Sequence, residues 1–383
     1  MRKCVTRKYI YILIKTKNMN NFIHFGCWNN LNKGCLVKVT NLLKDRLKDI
    51  DKQKIDFLTI AGDNYYPKKE VDGKKKKIII PGLLEKGFGY LPTEIPIYMV
   101  LGNHDLETNT GGNNFVIEEK VFEPPVEEKK NDCSIIKYEQ ISKNINGNIE
   151  YNLFKEFMLE NGTLIIMIDT SMYSVDADKY LPCYKYFLQS ILSEYTVEKL
   201  REYQQGLIIN TIKKYKDVNN LILIGHHPII GLKNKSGEDT RINDIIEFDN
   251  VLKEIYSILM DNVNYYYLCA DVHLYQEGNI VIKIDDTQTM NINQYIVGTG
   301  GTDLDNCPIK SPSEIKIDDD DRLITYTITR CEKKCGFLEC ITTDSGLEML
   351  FSGVQLKGGK RISKRKTRKN KKSKGKTRKS IRR

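Results

Sequence analysis

Five times along this 383-residue chain, an apolar run stops at Gly or Ala and hands over to polar residues. Phe22–Phe25 leads into Gly26, Cys27 and Trp28, and Asp56–Ile60 into Ala61, Gly62, Asp63, Asn64, Tyr65 and Tyr66. Ile95–Leu101 leads into Gly102, Asn103, His104 and Asp105; Leu221–Ile224 into Gly225, His226, His227 and Pro228; Tyr265–Cys269 into Ala270, Asp271, Val272 and His273. Runs without polar alternation mark strands buried on both faces. Helical periodicity separates them, around Leu36–Leu47, Val197–Tyr215 and Ile245–Met260. Strands alternating with helices predict an α/β sheet with its site at the carboxyl ends of the strands.

Beyond His273, short runs at Ile280–Ile284, Gln294–Val297, Leu323–Thr329, Gly336–Thr342 and Leu347–Ser352 predict an antiparallel, β-rich second half packed on the first. The charged stretches at 64–94 and 105–150 predict long solvated loops that shape access to the site. Three segments follow: an N-terminal extension at 1–21, a folded body at 22–356 and a tail at 357–383.

The net charge of +10 is unevenly spread. Sixteen Lys and Arg and no acidic residue fall between Lys357 and Arg383, which leaves 44 basic against 50 acidic side chains in residues 1–356, a net charge of −6. The tail has almost nothing to bury and is predicted to be disordered. Its charge predicts salt-sensitive, non-specific binding of nucleic acid or an anionic surface, or a nuclear localisation signal, with a merely solubilising tail as the alternative. No apolar run approaches the roughly 20 residues that span a bilayer, and Tyr9–Ile14 is short for a signal peptide. The ten cysteines contain no CxxC pair. They read as a reduced pool in an intracellular protein, cytoplasmic or nuclear.

Histidine is scarce, yet four of the five histidines lie in three of the strand-end motifs. Asp63, Asn103, His226, Asp271 and His273 are oxygen and nitrogen donors arriving from separate strand ends. Gathered in one cluster, they suit two divalent or trivalent metal ions. Glycines before the ligands let strands turn sharply and bring backbone close.

These motifs, in this order, resemble the calcineurin-like metallophosphoesterases. Gly62-Asp63-Asn64-Tyr65-Tyr66 resembles the purple acid phosphatase branch in particular. The resemblance spans about residues 22 to 300 and implies two stacked mixed sheets flanked by helices. It implies a dinuclear site of Fe, Mn or Zn and the hydrolysis of a phosphoester, most simply a phosphomonoester. In it Asp63 bridges the metals, Tyr66 and His273 join the first, Asn103 and His226 bind the second, and His104, oriented by Asp105, protonates the leaving oxygen.

Two positions depart from the family pattern, which has Asp where Cys27 stands and His where Asp271 stands. Asp271 remains a ligand for a hard ion. Cys27 reads either as a thiolate ligand for iron or zinc or as a small packing residue. A phosphodiesterase or nuclease recruited to nucleic acid by the tail is an alternative function. So is a catalytically impaired protein, bound to nucleic acid or a virion through that tail.

Overall fold

The computed structural model describes residues 20–30, 35–49, 51–66, 68–71, 74–77, 81–106, 149–188, 192, 194–242, 245, 248–260, 263–309, 313–319, 322–343 and 346–355. The basic tail and most of the 105–150 loop lie outside the described residues.

The strands are β1 (Phe22–Phe25), β2 (Phe57–Ala61), β3 (Lys68–Val71), β4 (Lys74–Lys77), β5 (Ile97–Val100), β6 (Ile149–Tyr151), β7 (Phe154–Met158), β8 (Thr163–Ile168), β9 (Asn220–Ile224), β10 (Gly231–Lys235), β11 (Glu238–Ile242), β12 (Asn264–Cys269), β13 (Tyr275–Lys283), β14 (Thr289–Val297), β15 (Ser313–Asp319), β16 (Arg322–Glu332), β17 (Cys335–Thr343) and β18 (Gly346–Val354). The helices are α1 (Cys35–Lys48), α2 (Pro81–Phe88), α3 (Asn103–Leu106), α4 (Leu181–Leu188), α5 (Val197–Lys214) and α6 (Phe248–Leu259).

Two large mixed sheets form the body of this α/β fold. One runs in the order β18-β17-β1-β2-β5-β6 and the other β15-β16-β13-β14-β12-β9-β8-β7. The strands that carry the polar motifs run parallel to one another: β1, β2 and β5 in the first sheet, β9 and β12 in the second. Parallel strands point their carboxyl ends the same way, so these motifs emerge along one rim of each sheet. All five residues of β2 and of β9 are buried, as unbroken apolar runs require.

The runs beyond His273 are strands, and their pairing corrects the expected second half. They do not form a separate layer. β14 lies parallel beside β12, while β17 and β18 extend the first sheet past β1. Each sheet is thus completed by chain from far downstream. Tyr275 of β13 stacks on Phe351 of β18, ring centroids 3.9 Å apart, where the two sheets meet.

The expected reduced cysteine pool is also corrected. Cys35 at the start of α1 bonds to Cys335 at the start of β17, and Cys307 bonds to Cys331. Cys183 is disulfide-bonded as well, to a partner outside the described residues. Among the described residues Cys27, Cys269 and Cys340 are free thiols, all buried. Arg46 reinforces the α1–β17 contact through a buried 2.6 Å ion pair with Glu339, and its guanidinium also donates to the Gln53 carbonyl in the loop after α1 at 2.7 Å. Among the described residues no helix is long and apolar enough to cross a membrane.

Candidate metal centre

The site is assembled by turns that bring ligand loops almost into contact. Gly62 has φ +74°, and a Cβ there would lie 2.5 Å from the Gly102 nitrogen. A Cβ on Gly102 would stand 2.4 Å from both the backbone nitrogen and Oδ1 of Asp63, and 2.8 Å from Cε1 of His226. The loops after β2, β5 and β9 therefore meet only because these positions lack side chains. We expect Gly102→Ala to destabilise the protein by at least about 1–3 kcal/mol. It should also weaken metal uptake, as denaturant melts and equilibrium dialysis would show.

Cys27, Asp63 and Asp271 take φ of 53°, 52° and 51°, three of the five described non-glycine residues in the left-handed region. Such backbone costs on the order of 1–3 kcal/mol and clusters at functional sites. All three are candidate ligands.

Asp63 is buried at the centre, and its two oxygens face different ways. Oδ1 lies 3.3 Å from Nε2 of His226 and accepts the backbone N–H of His104 at 3.0 Å. Oδ2 accepts the Tyr66 hydroxyl at 2.6 Å and stands 3.9 Å from the Cys27 sulfur and from Nε2 of His104. Burial alone would raise this carboxyl, but the His226 and His104 imidazoles and the Tyr66 hydroxyl hold it well below the usual carboxylate range.

On one side, His226 donates from Nδ1 to the Ala61 carbonyl at 2.7 Å, since a carbonyl can only accept. Its Nε2 is thereby turned toward Oδ1 of Asn103 at 3.2 Å, Oδ1 of Asp63 at 3.3 Å and Oδ1 of Asp271 at 3.7 Å. Burial would lower this imidazole, yet Asp63 and Asp271 raise it above the ordinary histidine value. On the other side, donor atoms of Cys27, Asp63 and His273 lie within 4.8 Å of one another. The Tyr66 hydroxyl is 3.4 Å from Nε2 of His273. Burial, then the Asp63 charge, pushes both the Cys27 thiol and the Tyr66 phenol up.

His226, His227 and Asp271 form a second such group within 4.8 Å, so donor atoms converge in two clusters with Asp63 reaching both. That donor set fits metal cations, which would replace protons as the balancing positive charge.

His104 stands at the rim with a quarter of its side chain exposed, its ring 5.1 Å from that of Tyr66. Asp105 is fully buried and accepts from the backbones of Gly102 (2.9 Å) and Asn64 (2.8 Å) and from the Asn64 amide (2.9 Å). Burial and the nearby Asp63 charge push its carboxyl up to about 7. Asp105 therefore braces the loop after β2 against the loop after β5. Trp28 joins the same frame by donating to Oδ1 of Asn64 at 3.0 Å. His24 lies in the core, with Nδ1 2.9 Å from the Thr59 hydroxyl.

The residues that sequence reasoning missed are Asp169 and Thr170, at the end of β8. Thr170 Oγ1 accepts the backbone N–H groups of His226 and His227, both at 3.0 Å, and lies 3.1 Å from Nδ1 of His227. With both lone pairs engaged, its proton points at that nitrogen and leaves His227 with an Nε2 proton. His227, lowered to about 4 by burial and by His226, then faces the site as a neutral donor. The signal was present: Leu164–Ile168 is a sixth apolar run that ends in Asp and Thr.

Asp169 caps the 3-10 turn Thr170–Tyr173, accepting from the Ser171 backbone and the Tyr184 hydroxyl. Burial pushes its carboxyl up to about 6. Because this folded value exceeds the unfolded one near 4, its contribution is complete at acid pH and is lost as pH rises from about 4 to 6. The urea midpoint of metal-free protein should fall across that window, with a shallower slope in Asp169→Asn.

Two stacked mixed sheets present this donor cluster at their strand ends, the architecture of metal-dependent phosphoester hydrolases. A family model for calcineurin-like phosphoesterases matches residues 21–275, and the chain belongs to that family. No curated protein matches the chain significantly. A solved crystal structure aligns with 88% of this chain and 99% of its own length, at 10% identity and TM-score 0.40.

Proposed function

We propose that the chain is a phosphomonoesterase with a dinuclear metal site, closest in kind to the purple acid phosphatases. The observation that carries this is the Asp63 carboxylate, which offers Oδ1 to the His226 side and Oδ2 to the Cys27 and Tyr66 side. Asn103, His226 and Asp271 would hold one ion, and Cys27, His273 and Tyr66 the other, with Asp63 shared. Bound there, the metals would activate water and neutralise phosphoryl oxygens in an in-line displacement. Tyr66, a hydrogen-bond donor to Asp63, supports the narrower likeness through the Gly62-Asp63-Asn64-Tyr65-Tyr66 motif.

His104, at the open rim, would give its imidazolium proton to the departing alkoxide as water oxygen bonds to phosphorus and the ester P–O bond breaks. Asp105 would serve by fixing the Asn103–His104 turn. Metal-loaded protein should hydrolyse an aryl phosphomonoester faster than the matching diester. His104→Asn should slow poor leaving groups by about 10²–10⁴-fold, and activated ones much less. Faster diester turnover would favour the phosphodiesterase alternative. Metal-loaded protein inert toward both would favour the impaired one.

A further inference from the structure

The two halves of the site differ in the softness of their donors. Around His226 stand the amide oxygen of Asn103, the carboxylates of Asp63 and Asp271 and the His227 imidazole, a set with three oxygen donors and no sulfur. On the other side are a sulfur from Cys27, an imidazole from His273, a phenol from Tyr66 and the second oxygen of Asp63. The Cys27 backbone is fixed at both ends: its N–H donates to the Gly62 carbonyl at 3.0 Å, and its carbonyl accepts from Thr302 at 3.2 Å. Held in the left-handed region at φ 53°, the residue directs its sulfur to the Asp63 side of the turn.

We propose that Cys27, where the family pattern has Asp, enters the site as a thiolate and makes its half of the site select a thiophilic ion. A thiophilic ion such as Zn²⁺ binds Cys27, His273, Tyr66 and Asp63, and a harder ion such as Mn²⁺ binds Asp63, Asn103, His226 and Asp271. Thiolate and imidazole select zinc-like ions, whereas carboxylate and carbonyl oxygens suit manganese or magnesium. Binding at the first half forms a metal–sulfur bond and releases the thiol proton to solvent. The proposal rests on the dinuclear reading above and adds the assignment of each half.

Co²⁺ reports the thiolate directly, because a cobalt–thiolate bond gives an intense near-ultraviolet charge-transfer absorption independent of catalysis. Full-length protein titrated with Co²⁺ should develop that band; Cys27→Ser should lack it and Asp271→Asn should keep it. Cd²⁺ should displace the band, whereas excess Mn²⁺ should leave it. Cys27→Ser should weaken Cd²⁺ binding by at least about tenfold and Mn²⁺ binding by less than about threefold.

Stoichiometric Co²⁺ binding without the band, or a band that survives Cys27→Ser, overturns the assignment and leaves the dinuclear reading standing. Protein that takes up neither Co²⁺ nor Mn²⁺ overturns both. If Cys27→Ser does not fold, wild-type competition decides, and Mn²⁺ displacing the band as readily as Cd²⁺ overturns the proposal.

Discussion

Asp63→Asn is expected to lower kcat/KM for an aryl phosphate by more than about 10³-fold, beyond what loss of one electrostatic donor removes from an ordinary site. The side chain keeps its shape, so the effect comes from charge and hydrogen-bond polarity. The His104 N–H donates to Oδ1 and the Tyr66 hydroxyl to Oδ2, and an amide can accept at only one of them. The other donor would meet an NH₂ group, at a cost of about 1–3 kcal/mol. More important, the negative charge shared between both halves is lost, and metal content should fall with activity. The checks are steady-state kinetics and metal analysis on variant and wild type, with circular dichroism confirming that the variant folds. A variant that keeps full activity at undiminished metal content would remove Asp63 from the centre of the proposed chemistry.

The second large effect concerns stability. Cys35 and Cys335 are 300 residues apart, so their bond constrains nearly the whole unfolded chain. Loop-closure entropy for such a span corresponds to about 5–6 kcal/mol, and native disulfides usually deliver somewhat less. We expect the double variant Cys35→Ser, Cys335→Ser to lose on the order of 3–5 kcal/mol, a large share of the 5–15 kcal/mol that holds most domains together. The pair Cys307 and Cys331, only 24 apart, should matter less. Urea melts of both double variants, with wild type melted in the presence and absence of reductant, test the ranking. A wild-type midpoint unmoved by reductant would contradict the pairing.

What was legible in the sequence was local. Each strand-end motif is a few consecutive residues, and an unbroken apolar run followed by Gly and a polar donor reads the same in any context. Asp63, Asn103, His104, His226, Asp271 and His273 could therefore be singled out, and with them the α/β class. The run ending at Ile168 passes straight into Asp169 and Thr170, with neither a glycine nor a histidine to mark it. The residues beyond His273 were readable as strands, but not their partners. β14 joins β12, and β17 pairs with β1, through contacts whose sequence separation no local pattern encodes.

The sequence by itself determined which side chains this protein can bring to chemistry, because donor type and strand-end position are written residue by residue. Only the tertiary structure decided how they divide: Asp63 turning one oxygen to each side, Cys27 pointing its sulfur into the site, Asp105 bracing two loops. It also decided the state of the cysteines. Spacing along the chain does not tell which two meet, and Cys35 reaches Cys335 only after β17 has paired with β1.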